Sequence, residues 1–152
     1  MKTLFALRGT SKRGKTQTIR TFDELLREKY PNAIVEHEYR TGVELRAVLS
    51  IDGVRIGIET NGANIKKIKE SFDLFVKLGC EIIVCATRTT GKTVAAVEML
   101  PGYNLVWFER QAQSDPVERL FKNIAMARQL VEETEKALAS AKPAVLSRAA
   151  GR

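Results

Sequence analysis

The chain is poor in cysteine, proline and histidine and has no long apolar run, and each shortage removes a class of answers. Its two cysteines, Cys80 and Cys85, have neither zinc-ligand spacing nor a disulfide framework around them. Beside and within one strand, they read as reduced, buried thiols of a cytoplasmic protein. The four prolines punctuate: Pro31 stops a helix, Pro101 and Pro116 flank a strand, and Pro143 opens the tail. The single histidine, His37, alternates with Glu36 and Glu38 on a strand and reads as an ordinary strand residue rather than a base. No apolar run approaches the ~20 residues of a membrane helix. The start, Met1 to Leu7, has only about four apolar residues before Arg8, too few for a signal-peptide core. It reads as a buried first strand. There is also no aromatic ribonucleoprotein motif, zinc module or helix-turn-helix pattern, so a nucleic-acid-binding module is not favoured.

What is present is one domain's worth of chain, 152 residues with 44% hydrophobic and 28% charged residues. The net charge is +7. Lys2, Arg8, Lys12, Arg13, Lys15, Arg20, Arg27 and Lys29 concentrate that charge near the start, which suits a polyphosphate or a nucleic acid. Residues 1–141 read as a single domain and residues 142–152 as a flexible basic tail.

The pattern alternates strand and helix. Thr3 to Leu7 is a short run without alternation, as in a strand buried on both faces. A helix is expected from Lys15 to Tyr30, with Ile19, Phe22, Leu25 and Leu26 at helical spacing. Three strands follow, at Ala33–Tyr39, Val43–Ile51 and Val54–Glu59, the last two joined by Asp52-Gly53, a hairpin turn pair. Asn64 caps a helix that Gly79 ends. Glu81–Ala86 is the clearest buried strand, and Lys92–Leu100 a short helix. Asn104–Phe108 is the last strand. Asp115-Pro116-Val117-Glu118 opens a final helix with Leu120, Phe121, Ile124, Leu130 and Val131 expected on its buried face. The order predicts a three-layer α/β domain, its sheet mostly parallel with an antiparallel hairpin at one edge.

Gly9-Thr10-Ser11-Lys12-Arg13-Gly14-Lys15-Thr16 matches the phosphate-loop pattern Gly-x-x-x-x-Gly-Lys-[Ser/Thr], between a buried strand and an amphipathic helix. Glycines let backbone N–H groups curl around phosphate oxygens, and the helix N-terminus adds partial positive charge. Lys15 would reach the β- and γ-phosphates, and Thr16 would ligate Mg²⁺. Over Thr3 to Leu26 the chain resembles the P-loop NTPase superfamily, and in size its small nucleotide- and metabolite-kinase-like members. The resemblance implies Mg·ATP as ligand, with hydrolysis or phosphoryl transfer to a small phosphorylated acceptor. It places Gly9 to Gln17 at the phosphates. No guanine-reading Asn-Lys-x-Asp is present, so the base is not dictated, and ATP is the default by abundance.

Such proteins carry a carboxylate at another strand end, for Mg²⁺ or the nucleophile. Glu59 is the candidate; Asp52 goes to the turn. The segment Gly57–Asn64 also resembles a Gly-Ile-x-Ser-x-Gly-Asp segment of small bacterial P-loop proteins, with Ala63 where they have Asp. That substitution keeps open a nucleotide-binding regulatory protein with little turnover. A second loop, Ala86–Thr93, repeats the Gly-Lys-Thr ending. Loops at the carboxyl ends of neighbouring strands converge on one crevice, so Arg88 and Lys92 would meet an acceptor's phosphate, the base or transition-state charge. Its alternative is a strand-to-helix turn capped by its hydroxyls. Trp107 and Phe108 read as core, and Glu109-Arg110 as a surface pair that could instead face the crevice. No membrane partner is expected; homo-oligomerisation is left open.

Overall fold

The computed structural model describes residues 2–9, 12–62, 64–110 and 114–150, with side chains except at Lys12, Arg13 and residues 142–150. The elements in chain order are β1 (Lys2–Gly9), α1 (Lys12–Lys29), β2 (Ile34–Arg40), β3 (Leu45–Ile51), β4 (Val54–Glu59), α2 (Ile65–Lys77), β5 (Ile82–Ala86), α3 (Lys92–Glu98), β6 (Tyr103–Arg110) and α4 (Pro116–Ala150). The six strands form one sheet in the order β2-β3-β4-β5-β1-β6. β4–β5, β5–β1 and β1–β6 are parallel, while β2–β3 and β3–β4 are antiparallel.

Local chemistry explains the joints. The β3–β4 hairpin turns on Asp52 and Gly53, at φ 51° and 83°, the left-handed pair that a two-residue hairpin requires. Asn64 accepts a bond from the Lys67 N–H at 3.1 Å and so caps α2. Gly79, at φ 71°, lets the chain leave that helix. Asp115 Oδ1 takes the Val117 N–H at 3.1 Å at the head of α4.

The pleat of β1 sorts its side chains between two cores. Phe5 and Leu7 join Ile19, Phe22 and Leu26 of α1 and Ala127, Leu130 and Val131 of α4. Leu4 and Ala6 face the opposite way, toward Ile68, Phe72 and Phe75 of α2 and Val97 of α3. β5 alternates likewise, so β1 and β5 are apolar on both faces, whereas β4 sends Val54, Ile56 and Ile58 to the first core and carries Arg55, Gly57 and Glu59 on its other face. Cys80 and Cys85 are free and buried in the second core, where burial raises both thiols, Cys80 to about 12.

One expectation about α4 needs correction. Leu120 and Phe121 are not buried but 58% and 68% exposed, whereas Leu130 and Val131 are in the core. Packing begins only at Asn123 and continues through Ala127, Leu130, Thr134 and Leu138. Leu120 shares that stripe but lies one turn before Asn123, at the rim of an open groove beside α1, and Phe121 lies off the stripe. The helix continues through Pro143 to Ala150.

Gly57 lies under α2, and a Cβ added there would come within 2.6 Å of the Phe75 ring. Gly57→Ala should therefore destabilise the fold by about 1–3 kcal/mol through overpacking. Gly42→Ala, whose Cβ meets nothing within 4 Å, should be close to neutral. Thermal or denaturant melts of the two variants check this contrast.

Candidate functional site

Because β1, β4 and β5 run parallel, the chain leaves all three at the same end of the sheet. There the segments after β4 and β5 converge with the start of α1 around a cleft of about 670 Å³, a size suited to a small ligand. Its walls are Gly9, Lys15 and Thr16 on one side, Thr60 and Gly62 on another, and Arg88 through Thr93 on the third. The two sequence loops are thus brought to one crevice.

The walls are close-set. A Cβ at Gly62 would fall 2.0 Å from the Ala86 carbonyl oxygen, so only glycine lets the turn after β4 lie on the end of β5. A Cβ at Gly14, in the first turn of α1, would reach within 2.6 Å of the Arg110 guanidinium, which would have to shift.

Lys15 is 6% exposed. Its Nζ donates to the Gly9 carbonyl at 2.8 Å and to the Thr87 carbonyl, tying the end of β1 to the residue after β5. Burial first, and then the charge of Arg88, lowers its pKa to about 8. Arg88 and Lys92 are exposed on the opposite wall. Neither makes an ion pair among the described residues, whereas Arg8, Arg27, Arg40, Arg46 and Arg55 each hold a carboxylate. No carboxylate lines this cleft among the described residues. The cationic wall is therefore left without a counter-charge.

The alternative of a hydroxyl-capped turn fits the second loop poorly. Gly91 is the N-cap of α3, at φ 104° and with no side-chain cap bond. The Thr93 hydroxyl instead accepts the Arg88 N–H at 3.2 Å, which fastens the loop that carries Arg88.

Other candidates are placed differently. Glu59, 2% exposed, faces α2 and borders a neighbouring recess, not the cleft. Its carboxylate accepts from Arg46 Nε at 3.0 Å, from the Asn61 N–H at 3.0 Å and from the Ser71 hydroxyl. Gln17 lines an adjoining groove, where its Oε1 accepts from Asn123 Nδ2 at 3.1 Å. α1 begins at Lys12 rather than at Lys15, so the backbone of Lys12 to Gly14 forms its first turn. Thr10, Ser11 and Ala63 lie outside the described residues, as do the side chains of Lys12 and Arg13. Arg110 is buried, and its Nε donates to Asn123 Oδ1 at 2.7 Å, while exposed Glu109 pairs with Arg8. Phe108 is core, edge-on to Phe5 at 5.9 Å. Trp107 is half-buried with Arg8 4.4 Å above its ring. His37 lies on β2 and does not line the cleft.

Sequence reasoning missed Thr60 and Glu44. Thr60 is buried at the cleft; its hydroxyl accepts from the Leu45 N–H at 2.8 Å and donates to Glu44 Oε2 at 2.7 Å. Thr60 stood beside Glu59, which drew the attention. Glu44, in the turn between β2 and β3, carries no motif to mark it. Among the described residues no cluster of three or more His, Cys, Asp or Glu could cage a metal. A cation here would need a ligand's own oxygens, with threonine hydroxyls such as that of Thr16 as the protein groups at the cleft.

The chain matches no protein-family model, and no curated protein or solved structure is significantly similar to it.

The lowered pKa of Lys15 fixes a sign. Its folded value near 8 lies below the ordinary lysine value, so the unfolded chain holds the proton more tightly between the two. Its contribution to stability is largest above pH 10.5 and is lost as pH falls through 8. In phosphate-free buffer, the melting temperature of Lys15→Met relative to wild type should therefore decline as pH rises from 7 to 10. A difference that is flat across that range would contradict the assignment.

Proposed function

We propose that the chain binds a nucleoside triphosphate, Mg·ATP by default, in the cleft between its two glycine-containing loops. One observation carries the reading: Lys15, Arg88 and Lys92 share a cleft of about 670 Å³ that no described carboxylate lines. Like charges gathered in a partly dried concavity repel, and an anionic ligand relieves that repulsion. Polyphosphate is the anion that suits three cations beside a glycine-flanked helix start, and the Gly9–Thr16 pattern names the same ligand independently.

In this reading Lys15 meets the β- and γ-phosphates and Thr16 supplies a hydroxyl to Mg²⁺. Arg88 and Lys92 neutralise the far end of the ligand or the phosphate of a small acceptor. The metal would supply charge neutralisation on the phosphate oxygens. The chemistry is hydrolysis or transfer of the γ-phosphoryl group, helped by positioning and charge rather than by a covalent intermediate.

A second reading, a nucleotide-binding regulatory protein with little turnover, is favoured by Glu59. That carboxylate is occupied by Arg46, Ser71 and the Asn61 N–H and is not free to orient water. Single-turnover hydrolysis separates the two readings, because bound nucleotide that stays intact fits only the second.

The binding claim is tested by calorimetry on folded variants. Lys15→Ala and Arg88→Ala should each weaken ATP binding by about tenfold or more, roughly 1.4 kcal/mol. Lys136→Ala, on the exposed face of α4, should change nothing. Equal affinities in all four proteins would refute the assignment.

A further inference from the structure

Two carboxylates flank Thr60, and they differ in what they are bonded to. Glu59 is saturated by an arginine, a serine hydroxyl and a backbone N–H. Glu44 is half-buried. It accepts the Thr60 hydroxyl at 2.7 Å and makes no ion pair among the described residues. Its backbone is nonetheless fixed: the Thr41 hydroxyl accepts the Val43 and Glu44 N–H groups at 3.1 and 2.8 Å, and the Thr41 N–H returns to the Glu44 carbonyl at 2.9 Å. A rigid turn holds out a carboxylate with bonding capacity to spare.

Glu44 borders two spaces, the recess that it shares with Arg46, Glu59 and Lys67 and a groove beside α1. It lines that groove, of about 700 Å³, with Thr16, Gln17, Arg20 and Glu24. Thr16 lines both this groove and the cationic cleft. The charge character changes across Thr16. The cleft presents Lys15, Arg88 and Lys92. The groove presents Glu24 and Glu44, and its one arginine, Arg20, donates to the Gly42 carbonyl at 2.7 Å. Thr16 thus stands between the cationic cleft and the groove that Glu44 borders.

Phosphate oxygens on one side and a carboxylate on the other are the surroundings of a hydrated divalent cation. Mg²⁺ keeps several waters and is bound through one or two carboxylates together with substrate phosphates. We propose that Glu44 is the protein carboxylate that meets the divalent cation accompanying a bound nucleoside triphosphate, through metal-bound water, with Thr16 as the hydroxyl partner. Glu59 is then a structural anchor that holds Asn61 and Ser71 in place. The assignment rests on the nucleotide reading above and adds to it a ligand from the β2–β3 turn.

The test is ATP affinity by calorimetry, with excess Mg²⁺ and with EDTA, for wild type, Glu44→Gln, Glu44→Asp and Glu59→Gln. Wild type should bind ATP more tightly with Mg²⁺. Glu44→Gln should lose about tenfold of that gain, while binding ATP in EDTA no more weakly than wild type, since a repelling charge is gone. Glu44→Asp should recover part of the gain. Glu59→Gln should keep the gain and melt at a lower temperature. Undiminished Mg²⁺ dependence in a folded Glu44→Gln protein overturns the assignment of Glu44 and leaves the nucleotide reading standing. Loss of the gain in Glu59→Gln instead transfers the role to Glu59. Wild type that binds ATP under neither condition sinks the nucleotide reading and this assignment with it.

Discussion

The position of one ammonium group organises the cleft end of this protein. Lys15 Nζ lies under the carbonyls of Gly9 and Thr87, and through them it joins the end of β1 to the segment after β5. Burial and the nearby Arg88 make that charge costly to keep, as its lowered pKa records. Two carbonyls supply partial negative charge but not a full counter-ion. In the proposed account the counter-ion is the ligand, and the arrangement is complete only when polyphosphate is bound. Groups arranged against their own stability are a recurring feature of sites built for chemistry or binding.

The sheet makes this arrangement affordable. β1 and β5, adjacent inner strands, are apolar on both faces and covered by separate cores, so the loops they emit start from rigid positions. β4, on the far side of β5, ends in Glu59 and Thr60, and Gly62 lets the next turn lie directly on Ala86. The antiparallel strands β2 and β3 bring the turn holding Glu44 to the same edge. Thr60 connects these parts, bonded to Leu45 and Glu44 while it lines the cleft. The cationic wall comes from the parallel half of the sheet. The acidic residue comes from the antiparallel half.

Much of this was legible in the sequence because it is local. The Asp52-Gly53 turn, the Asn64 cap, the Gly79 exit and the Asp115-Pro116 helix start are each fixed by residues within a few positions of each other. The convergence of the two loops followed from parallel strands alone. What was not legible depended on partners distant in sequence. Glu59 resembles a free strand-end carboxylate until Arg46 and Ser71 fold against it. Arg110 looks like a surface residue until Asn123 and Gly14 close over it. Leu120 has core periodicity, but no periodicity tells how far a helix overhangs its sheet. Glu44 could not be singled out without the register that sets β3 beside β4.

Thermal stability on addition of inorganic tripolyphosphate tests the central claim most directly, because that probe carries the charge of the proposed ligand and none of its base. Tripolyphosphate should raise the melting temperature of wild type well above sodium chloride at equal ionic strength. Adenosine should not, and the rise should be largely absent in Lys15→Ala. A wild-type melting temperature that tripolyphosphate moves no more than sodium chloride does would contradict the claim that the cleft awaits a polyphosphate.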